Sequence, residues 1–264
     1  MTETRPLALV TGASSGIGLE LARAFAERDY DVVMVAEDAA IETAAETVRR
    51  PGIEVRAVTA DLRTPDGVHS AYSAATEDER PLDAVALNAG VGRAGNFADT
   101  DLDDELDLIA LNVRSTVHLA KLTLGDMVRR DSGGLLFTSS IAAMMPGAGQ
   151  AVYHASKSFI QSFAEALREE TRDTGVTVTA LLPGPTDTDF FRRAGLLETA
   201  IGRAPKEDPA RVARQGVEAL LQDKQKVVGG SVGTRAMATV TRVLPDAVKV
   251  TASRVMNAAV PHRG

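Results

Sequence analysis

Short runs of apolar and β-branched residues alternate with longer segments of helical periodicity along most of this chain. Seven runs have the length and composition of strands, at residues 7–11, 31–36, 54–60, 84–88, 134–139, 177–182 and 227–229. Between the first two, apolar residues recur at helical spacing, at Leu19, Ala22, Phe25 and Ala26. Strands separated by helices pair in parallel through right-handed crossovers. The pattern predicts an α/β fold with a doubly wound, seven-stranded, mainly parallel sheet and helices on both faces.

Length and charge limit the organisation and the partners of the chain. Its 264 residues and 44% hydrophobic content fit one domain over residues 1–264, without a second one. The formal net charge is −7, yet residues 224–264 hold seven Lys or Arg and one acid, a net charge of +6 that leaves −13 on the first 223 residues. An acidic body argues against nucleic-acid binding, which needs a basic face. The basic end, from about residue 231, is expected to be a variable segment.

Other features of composition concern compartment and metals. The chain has no cysteine, so it cannot form disulfides or a thiolate metal site, and the cytoplasm is the expected compartment. The polar residues 1–6 lead directly into the first strand, so we expect no signal peptide. No apolar run approaches the ~20 residues of a membrane span. The four histidines lack metal-ligand spacing, so no metal is expected, and His154 is expected to be structural or at the rim of a substrate site.

A glycine-rich turn lies between the first predicted strand and the first predicted helix. Gly12, Gly16 and Gly18 have the spacing G-x-x-x-G-x-G. Glycine lets the backbone turn sharply and lets a pyrophosphate approach without a Cβ in the way. The free N–H groups and the dipole of the following helix stabilise negative charge. The turn therefore predicts a dinucleotide site at the carboxyl ends of the strands, where such sheets bind ligands.

A second signal lies about 140 residues further along, in the run Tyr153-His154-Ala155-Ser156-Lys157. Residues four apart share one face of a helix, so Tyr153 and Lys157 are within reach of each other. A phenol with a pKa of ~10 is a poor base near neutrality, but an adjacent ammonium favours the phenolate. The pair predicts acid/base chemistry beside the dinucleotide.

The chain resembles the short-chain dehydrogenase/reductase family over about residues 5–230, and this likeness implies a Rossmann-type fold. TGASSGIG at 11–18 matches the family's glycine motif, and Asn88-Ala89-Gly90 matches its strand-four motif, except that Leu87 replaces the usual first asparagine. That replacement should weaken a strand-four hydrogen bond but not the chemistry. The resemblance implies cofactor contacts from Gly12, Ser14, Ser15, Gly16, Ile17, Gly18, Asp61, Leu62, Asn88, Ala89, Gly90, Tyr153, Lys157, Pro183, Gly184, Thr186 and Thr188.

The resemblance also implies a catalytic tetrad of Asn112, Ser140, Tyr153 and Lys157. Tyr153 would exchange a proton with the substrate oxygen, and Ser140, thirteen residues earlier, would position that oxygen. Lys157 would hold the nicotinamide ribose and tune Tyr153, while Asn112 would hold a water of a proton relay. In the Pro-Gly-x-x-x-Thr motif that ends at Thr188, a hydroxyl and backbone groups would contact the nicotinamide carboxamide.

The choice between NAD and NADP depends on the end of the second strand, which reads Ala36-Glu37-Asp38. A carboxylate there accepts from the ribose 2'-hydroxyl and repels a 2'-phosphate. Family members commonly have Asp at position 36 when they use NAD or Arg at position 37 when they use NADP, and neither is present. The two acids favour NAD, with Glu37 as a cofactor-binding residue, and NADP stays the alternative.

The segments expected to cover the substrate are apolar. Met144, Met145, Phe190 and Phe191 are the candidate substrate contacts. Flexible methionines suit an irregular hydrophobic ligand. We therefore expect a small-molecule partner, an apolar secondary alcohol or its ketone or aldehyde.

Two questions stay open at this point. The function favoured is an NAD(P)-dependent oxidoreductase, and the alternative is a catalytically silent dinucleotide-binding scaffold or sensor. In the basic end, Val248, Ala252, Val255, Met256 and Ala259 recur at helical spacing. Such a helix is expected to pack on the substrate loop or on a partner subunit, in preference to resting on an anionic membrane surface. The resemblance implies a homodimer or homotetramer formed through the helices that carry Asn112 and Tyr153.

Overall fold

The computed structural model describes residues 5–258 and contains a seven-stranded sheet in the order β3-β2-β1-β4-β5-β6-β7. All neighbouring strands are parallel. The strands are β1 Leu7–Thr11, β2 Asp31–Ala36, β3 Val55–Thr59, β4 Ala84–Leu87, β5 Gly133–Thr138, β6 Val176–Pro183 and β7 Lys226–Gly229. Each predicted strand is confirmed, with its ends within one residue of the prediction.

Helices cover both faces of the sheet because residues alternate between the faces along each strand. Leu7 and Leu9 of β1 pack into one hydrophobic core, and Ala8 and Val10 pack into the other. The helices are α1 Gly16–Ala26, α2 Ala40–Val48, α3 Pro65–Thr76, α4 Leu102–Ile109, α5 Ser115–Arg129, α6 Ala151–Glu170, α7 Phe190–Arg193, α8 Ala200–Arg203, α9 Pro209–Leu221, α10 Val232–Val243 and α11 Asp246–Asn257. Helices α3, α5 and α6 enclose the first core, and α1, α2 and α9 enclose the second.

The basic end of the chain forms α10 and α11, which turn back over the carboxyl ends of the strands. The two helices contribute Met237, Val240 and Met256 to the main cavity. Helix α11 also contacts α8, with the Ala200 amide donating to the Ala258 carbonyl at 3.3 Å. The basic segment thus packs on the segment after β6 that contains α8, which agrees with the expectation that it packs on the substrate loop. Ala259 of the predicted helix lies outside the described residues.

Within residues 5–258, no helix has both the length and the apolar character needed to cross a membrane.

Candidate active site

The turn between β1 and α1 leaves no room for side chains at its three glycines. Gly12 and Gly16 have φ angles of +65° and +58°, a left-handed conformation that favours glycine. A Cβ on Gly18 would lie 2.0 Å from the Gly12 carbonyl oxygen. Helix α1 begins at Gly16, so its free N–H groups face this compact loop. The compact backbone of the loop and the free N–H groups at the start of α1 therefore fit a pyrophosphate.

The end of β4 supports this turn from below. The Thr11 hydroxyl accepts from the Asn88 and Ala89 amides at 2.9 and 3.1 Å, and the Asn88 side chain donates to the Thr11 carbonyl at 3.0 Å. Leu87, where the resemblance leads one to expect asparagine, is buried in the apolar core. Packing replaces a hydrogen bond at Leu87, and the Asn88 contacts are retained.

The adenosine end of the cleft contains an arginine that the sequence analysis did not identify. Arg63 donates to the Glu37 carboxylate at 2.6 Å and to the Asp61 carboxylate at 2.9 Å. Its hydrogen bond with Asp61 holds the pKa of that carboxyl below its ordinary value. Glu37 and Asp61 line the cleft, while Arg63 lies behind them. Strands β2 and β3 are neighbours, so a signal existed in the position of Arg63 just after β3.

Tyr153 and Ser140 meet at the floor of the cleft. Tyr153 lies in the first turn of α6, and Ser140 begins the 3-10 turn Ile141–Met144, where its hydroxyl accepts from the Ala142 amide at 3.1 Å. Burial raises the pKa of Tyr153 to about 12, and a hydrogen bond with Ser140 acts in the opposite direction. The thirteen-residue spacing therefore does bring the two hydroxyls together.

Lys157 is buried one turn along α6 from Tyr153. Its ammonium donates to the Thr138 carbonyl at 3.0 Å and lies 6.0 Å from the centre of the Tyr153 ring. Burial lowers the pKa of Lys157 to about 8. The pKa of Tyr153 is therefore shifted in the direction opposite to the one expected from Lys157, because burial disfavours the charged phenolate.

Asn112 lies in a π-helical segment, Ala110–Arg114, between α4 and α5. Such segments are often found at functional sites. Its amide donates to the Val91 carbonyl and accepts from the Val91 amide, both at 2.9 Å, and it also donates to Ser156 at 3.1 Å. A Cβ on Gly90 would lie 3.1 Å from the Asn112 side-chain oxygen and 3.3 Å from the Lys157 nitrogen. Asn112 and Lys157 thus converge beside Gly90, within the strand-four motif.

The loop after β6 closes over the glycine turn. A Cβ on Gly16 would lie 2.9 Å from the Thr188 methyl group. The Thr188 hydroxyl accepts from the Phe190 amide at 3.3 Å, and Thr186 donates to the Gly184 carbonyl at 2.8 Å. The two halves of the predicted cofactor site, separated by more than 160 residues in sequence, are therefore adjacent.

A single cavity of about 410 Å³ joins these groups, and the predicted cofactor residues line it together with the catalytic hydroxyls. Beyond Tyr153 its walls are apolar. Met145, Phe190 and Phe191 line it as predicted, and the Phe190 ring lies 5.3 Å from the Tyr153 ring. Met144 is the exception, since it packs against the core under the sheet and not into the cavity. Met144 ends the 3-10 turn, whereas Met145 follows it in an extended conformation.

Packing of the basic segment on the substrate loop was expected, but which of its residues line the cavity was not. Met237, Val240, Leu244 and Met256 line it, although they lie beyond the region of family resemblance. Their helical apolar spacing was the only signal available. His154 also lines the cavity, and its ring nitrogen Nδ1 donates to the Met145 carbonyl at 2.9 Å, which fits the structural or substrate-rim role expected for it.

The fold and this site define a class of oxidoreductases that use a nicotinamide dinucleotide. A family model described as short chain dehydrogenase matches residues 6–196, and the chain belongs to that family. It is 31% identical over 218 residues to oxidoreductase UcpA of Salmonella typhimurium, covering 82% of this chain and 81% of that protein. It is 32% identical to the probable oxidoreductase EphD of Mycobacterium tuberculosis, covering 93% of this chain and 44% of that protein.

Solved structures agree with this assignment. A short-chain dehydrogenase from Sphingobium yanoikuyae in complex with NADPH has a TM-score of 0.79 and 27% identity, covering 98% of this chain and all of that one. A family member from Burkholderia phymatum in complex with NAD has a TM-score of 0.81 over 92% of this chain and 94% of that one, but its identity of 22% supports the fold alone.

Proposed function

We propose that this protein interconverts an apolar secondary alcohol and the corresponding ketone or aldehyde, with a nicotinamide dinucleotide as hydride carrier. The observation that carries the proposal is the contact of the Tyr153 and Ser140 hydroxyls where the dinucleotide cleft meets the apolar cavity. Family membership supports the oxidoreductase class. The bound nicotinamide would supply hydride for reduction or accept it in oxidation.

Side chains of the protein carry out and support the proton transfer. In reduction, Tyr153 donates its proton to the substrate oxygen, and in oxidation it takes the alcohol proton back. Ser140 donates a hydrogen bond to the same oxygen and fixes its position. Lys157 contributes positive charge and hydrogen bonds at the ribose end of the site, and Asn112 supports the polar path beside Gly90. Together they make a machinery that a silent nucleotide-binding scaffold would not need.

We propose NAD as the preferred cofactor. Glu37 and Asp38 line the adenosine end of the cleft, and carboxylates there disfavour a 2'-phosphate. Arg63 partly offsets their charge through its ion pair with Glu37. Titration of the protein with NADH and with NADPH, followed by the fluorescence of the reduced nicotinamide, compares the two affinities directly. Tighter binding of NADPH would refute this preference.

The whole chain is proposed to act as one domain in a homo-oligomer. Leu106 and Ile109 of α4 and Phe159 of α6 are 51%, 41% and 42% exposed, which is high for large apolar side chains. Helix α6 carries Tyr153, and α4 leads into the π-helical segment that carries Asn112. Sedimentation velocity gives the oligomeric state, and a monomer at micromolar concentration would contradict this part of the proposal.

The central experiment compares Tyr153→Phe with the native enzyme on a panel of hydrophobic alcohols and ketones, followed at the nicotinamide absorbance. We expect the variant to bind NADH normally and to lose turnover by a factor of about 100 or more. Tyr72→Phe is the matched control, because the Tyr72 hydroxyl donates to Asp126 and Tyr72 is not among the residues that line the cavity. Unchanged turnover in Tyr153→Phe would refute the role of Tyr153, and no turnover of any substrate by the native protein would favour the scaffold.

A further inference from the structure

The apolar half of the cavity carries charge of one sign. The acids that line the cavity, Glu37, Asp38 and Asp61, all lie at the adenosine end. Apart from Lys157, which lies beside Tyr153, the charged residues along the apolar walls are Arg193 and Lys249. No described residue of these apolar walls is a carboxylate. Two cations on an otherwise apolar wall indicate a ligand with a negative group.

The setting of Arg193 differs from that of its neighbour. Arg192 is paired with Asp189 at 3.2 Å, whereas Arg193 forms no ion pair of this kind among the described residues and acts on Asp189 only by a Coulombic attraction at longer range. Arg193 is exposed and also lines the cavity, so this residue lies at the mouth. Phe190, on the same short helix, contacts the Tyr153 ring. Helix α7 therefore links the cation at the mouth to the catalytic floor.

The charge around the cavity also favours an anionic ligand. Helices α10 and α11, which border the cavity, carry Arg235, Arg242, Lys249 and Arg254 against one acid, Asp246, a net charge of +3 on a chain whose net charge is −7. Lys206 lies behind the wall, 4.3 Å from the centre of the Phe191 ring. A local positive field at the mouth of a cleft attracts anions and raises their rate of association.

We propose that the substrate is an amphipath, with an anionic carboxylate or phosphate at Arg193 and Lys249 and an apolar chain that carries the reacting carbonyl to Tyr153. This inference rests on the proposed function and adds the substrate class. Arg193 is a specificity residue that acts on the end of the substrate remote from the reaction, so it changes KM more than kcat.

The kinetic test uses an ω−1 oxo fatty acid, its methyl ester, and the methyl ketone of equal length that ends in a phosphate monoester. We expect the native enzyme to use the acid or the phosphate at least several-fold better than the neutral ester, with a preference that falls as salt is added. Arg193→Gln should remove most of this preference through KM, and Lys249→Gln should reduce it. The matched control Arg192→Gln should retain it.

A binding test keeps the inference separate from catalysis. Calorimetric titration of the NAD-loaded protein compares a fatty acid and an alkyl phosphate with the alcohol of the same length. We expect the anions to bind several-fold more tightly to the native protein and to Arg192→Gln, but not to Arg193→Gln. If no carbonyl is turned over while this pattern holds, the proposed function fails and the anion site stands. Equal binding of anions and alcohol would overturn the site, as would weaker NADH binding by Arg193→Gln, which would assign Arg193 to the cofactor.

Discussion

Arg63 lies between two acids of the cofactor cleft, with its guanidinium 2.6 Å from the Glu37 carboxylate and 2.9 Å from that of Asp61. An arginine behind a carboxylate can serve two purposes. It holds the carboxylate in place for a ribose hydroxyl, and it supplies positive charge to a phosphate once the carboxylate is removed. The discrimination between NAD and NADP thus depends on the balance between the negative charge of Glu37 and the positive charge of Arg63.

The first prediction concerns this balance. Glu37→Gln removes one negative charge and leaves Arg63 paired with Asp61, so the affinity for NADPH should rise by about tenfold, which corresponds to about 1.4 kcal/mol. Affinity for NADH should fall by a smaller factor, because one hydrogen-bond acceptor is weakened. Fluorescence titration with each cofactor measures both changes.

Arg63→Gln is the reciprocal variant. It leaves the carboxylates without their counter-charge, so discrimination against NADPH should increase. Lys121→Gln, on α5 away from the cleft, controls for a general loss of positive charge. If both Glu37→Gln and Arg63→Gln leave the ratio of the two affinities unchanged, the selection of cofactor lies elsewhere in the cleft.

The second prediction follows from the burial of Lys157, whose pKa falls from 10.5 to about 8. Between these values the unfolded chain binds more protons than the folded one, so the free energy of unfolding rises with pH. Between about pH 7 and 9.5 the rise from this group should be on the order of 2 kcal/mol. Tyr153, with its pKa raised to about 12, titrates above this range in the folded protein.

Lys157→Met isolates this contribution, because a methionine of similar length has no charge to bury. Urea unfolding at a series of pH values gives the difference in unfolding free energy between the variant and the native protein. The variant should have its largest advantage near pH 7 and lose it as the pH rises. A constant difference over the range would show that Lys157 keeps an ordinary pKa when buried.

The sheet could be predicted because the sequence of a buried parallel strand is a short apolar run with turn residues at its ends. All seven strands were located within one residue, including the short β7 Lys226–Gly229. The helices α10 and α11 could be anticipated only as an amphipathic pattern. Their position over the cavity depends on contacts with α8 and with the loop before α6, and local sequence does not specify contacts at such separation.

The candidate site also contains residues that the sequence could locate and residues that it could not. Motif spacing located Ser140 and Tyr153 because both positions are set by a strand end and a helix start. Arg63 was missed because its partner, Glu37, belongs to a different strand end. Met144 was misplaced because it ends the 3-10 turn against the core, whereas Met145 follows in an extended conformation and lines the cavity. The high pKa of Tyr153 depends on burial, which spacing does not reveal.

The third prediction concerns the glycine turn. A Cβ on Gly18 would lie 2.0 Å from a backbone oxygen, so Gly18→Ala requires movement of the loop itself. We expect a loss of about 2–4 kcal/mol in unfolding free energy together with weaker dinucleotide binding. Gly233→Ala in α10 is the matched control, since the nearest atom to its Cβ would be 3.6 Å away. That variant should be neutral or slightly stabilising, and equal effects of the two changes would contradict the close packing of the turn.

The fourth prediction concerns the attachment of α11 over the cavity. The Asn257 side chain accepts from Gln150 at 2.7 Å and donates to the Ala148 carbonyl at 2.9 Å, which joins the end of α11 to the loop before the catalytic helix. Asn257→Ala leaves the buried Gln150 amide without this acceptor, at a cost of about 1–3 kcal/mol in unfolding free energy.

Loosening this attachment should affect substrate binding more than chemistry, because α10 and α11 contribute apolar side chains to the cavity wall and not the Tyr153 and Ser140 hydroxyls. For the apolar ketone that the native enzyme uses best, KM should rise several-fold in Asn257→Ala, with kcat reduced by less than a factor of about three. Thr251→Ala, on the exposed face of the same helix, should change neither constant. A drop in kcat at constant KM would instead indicate that Asn257 acts through Gln150 on the geometry of α6, and circular dichroism melts of both variants separate that effect from loss of the folded state.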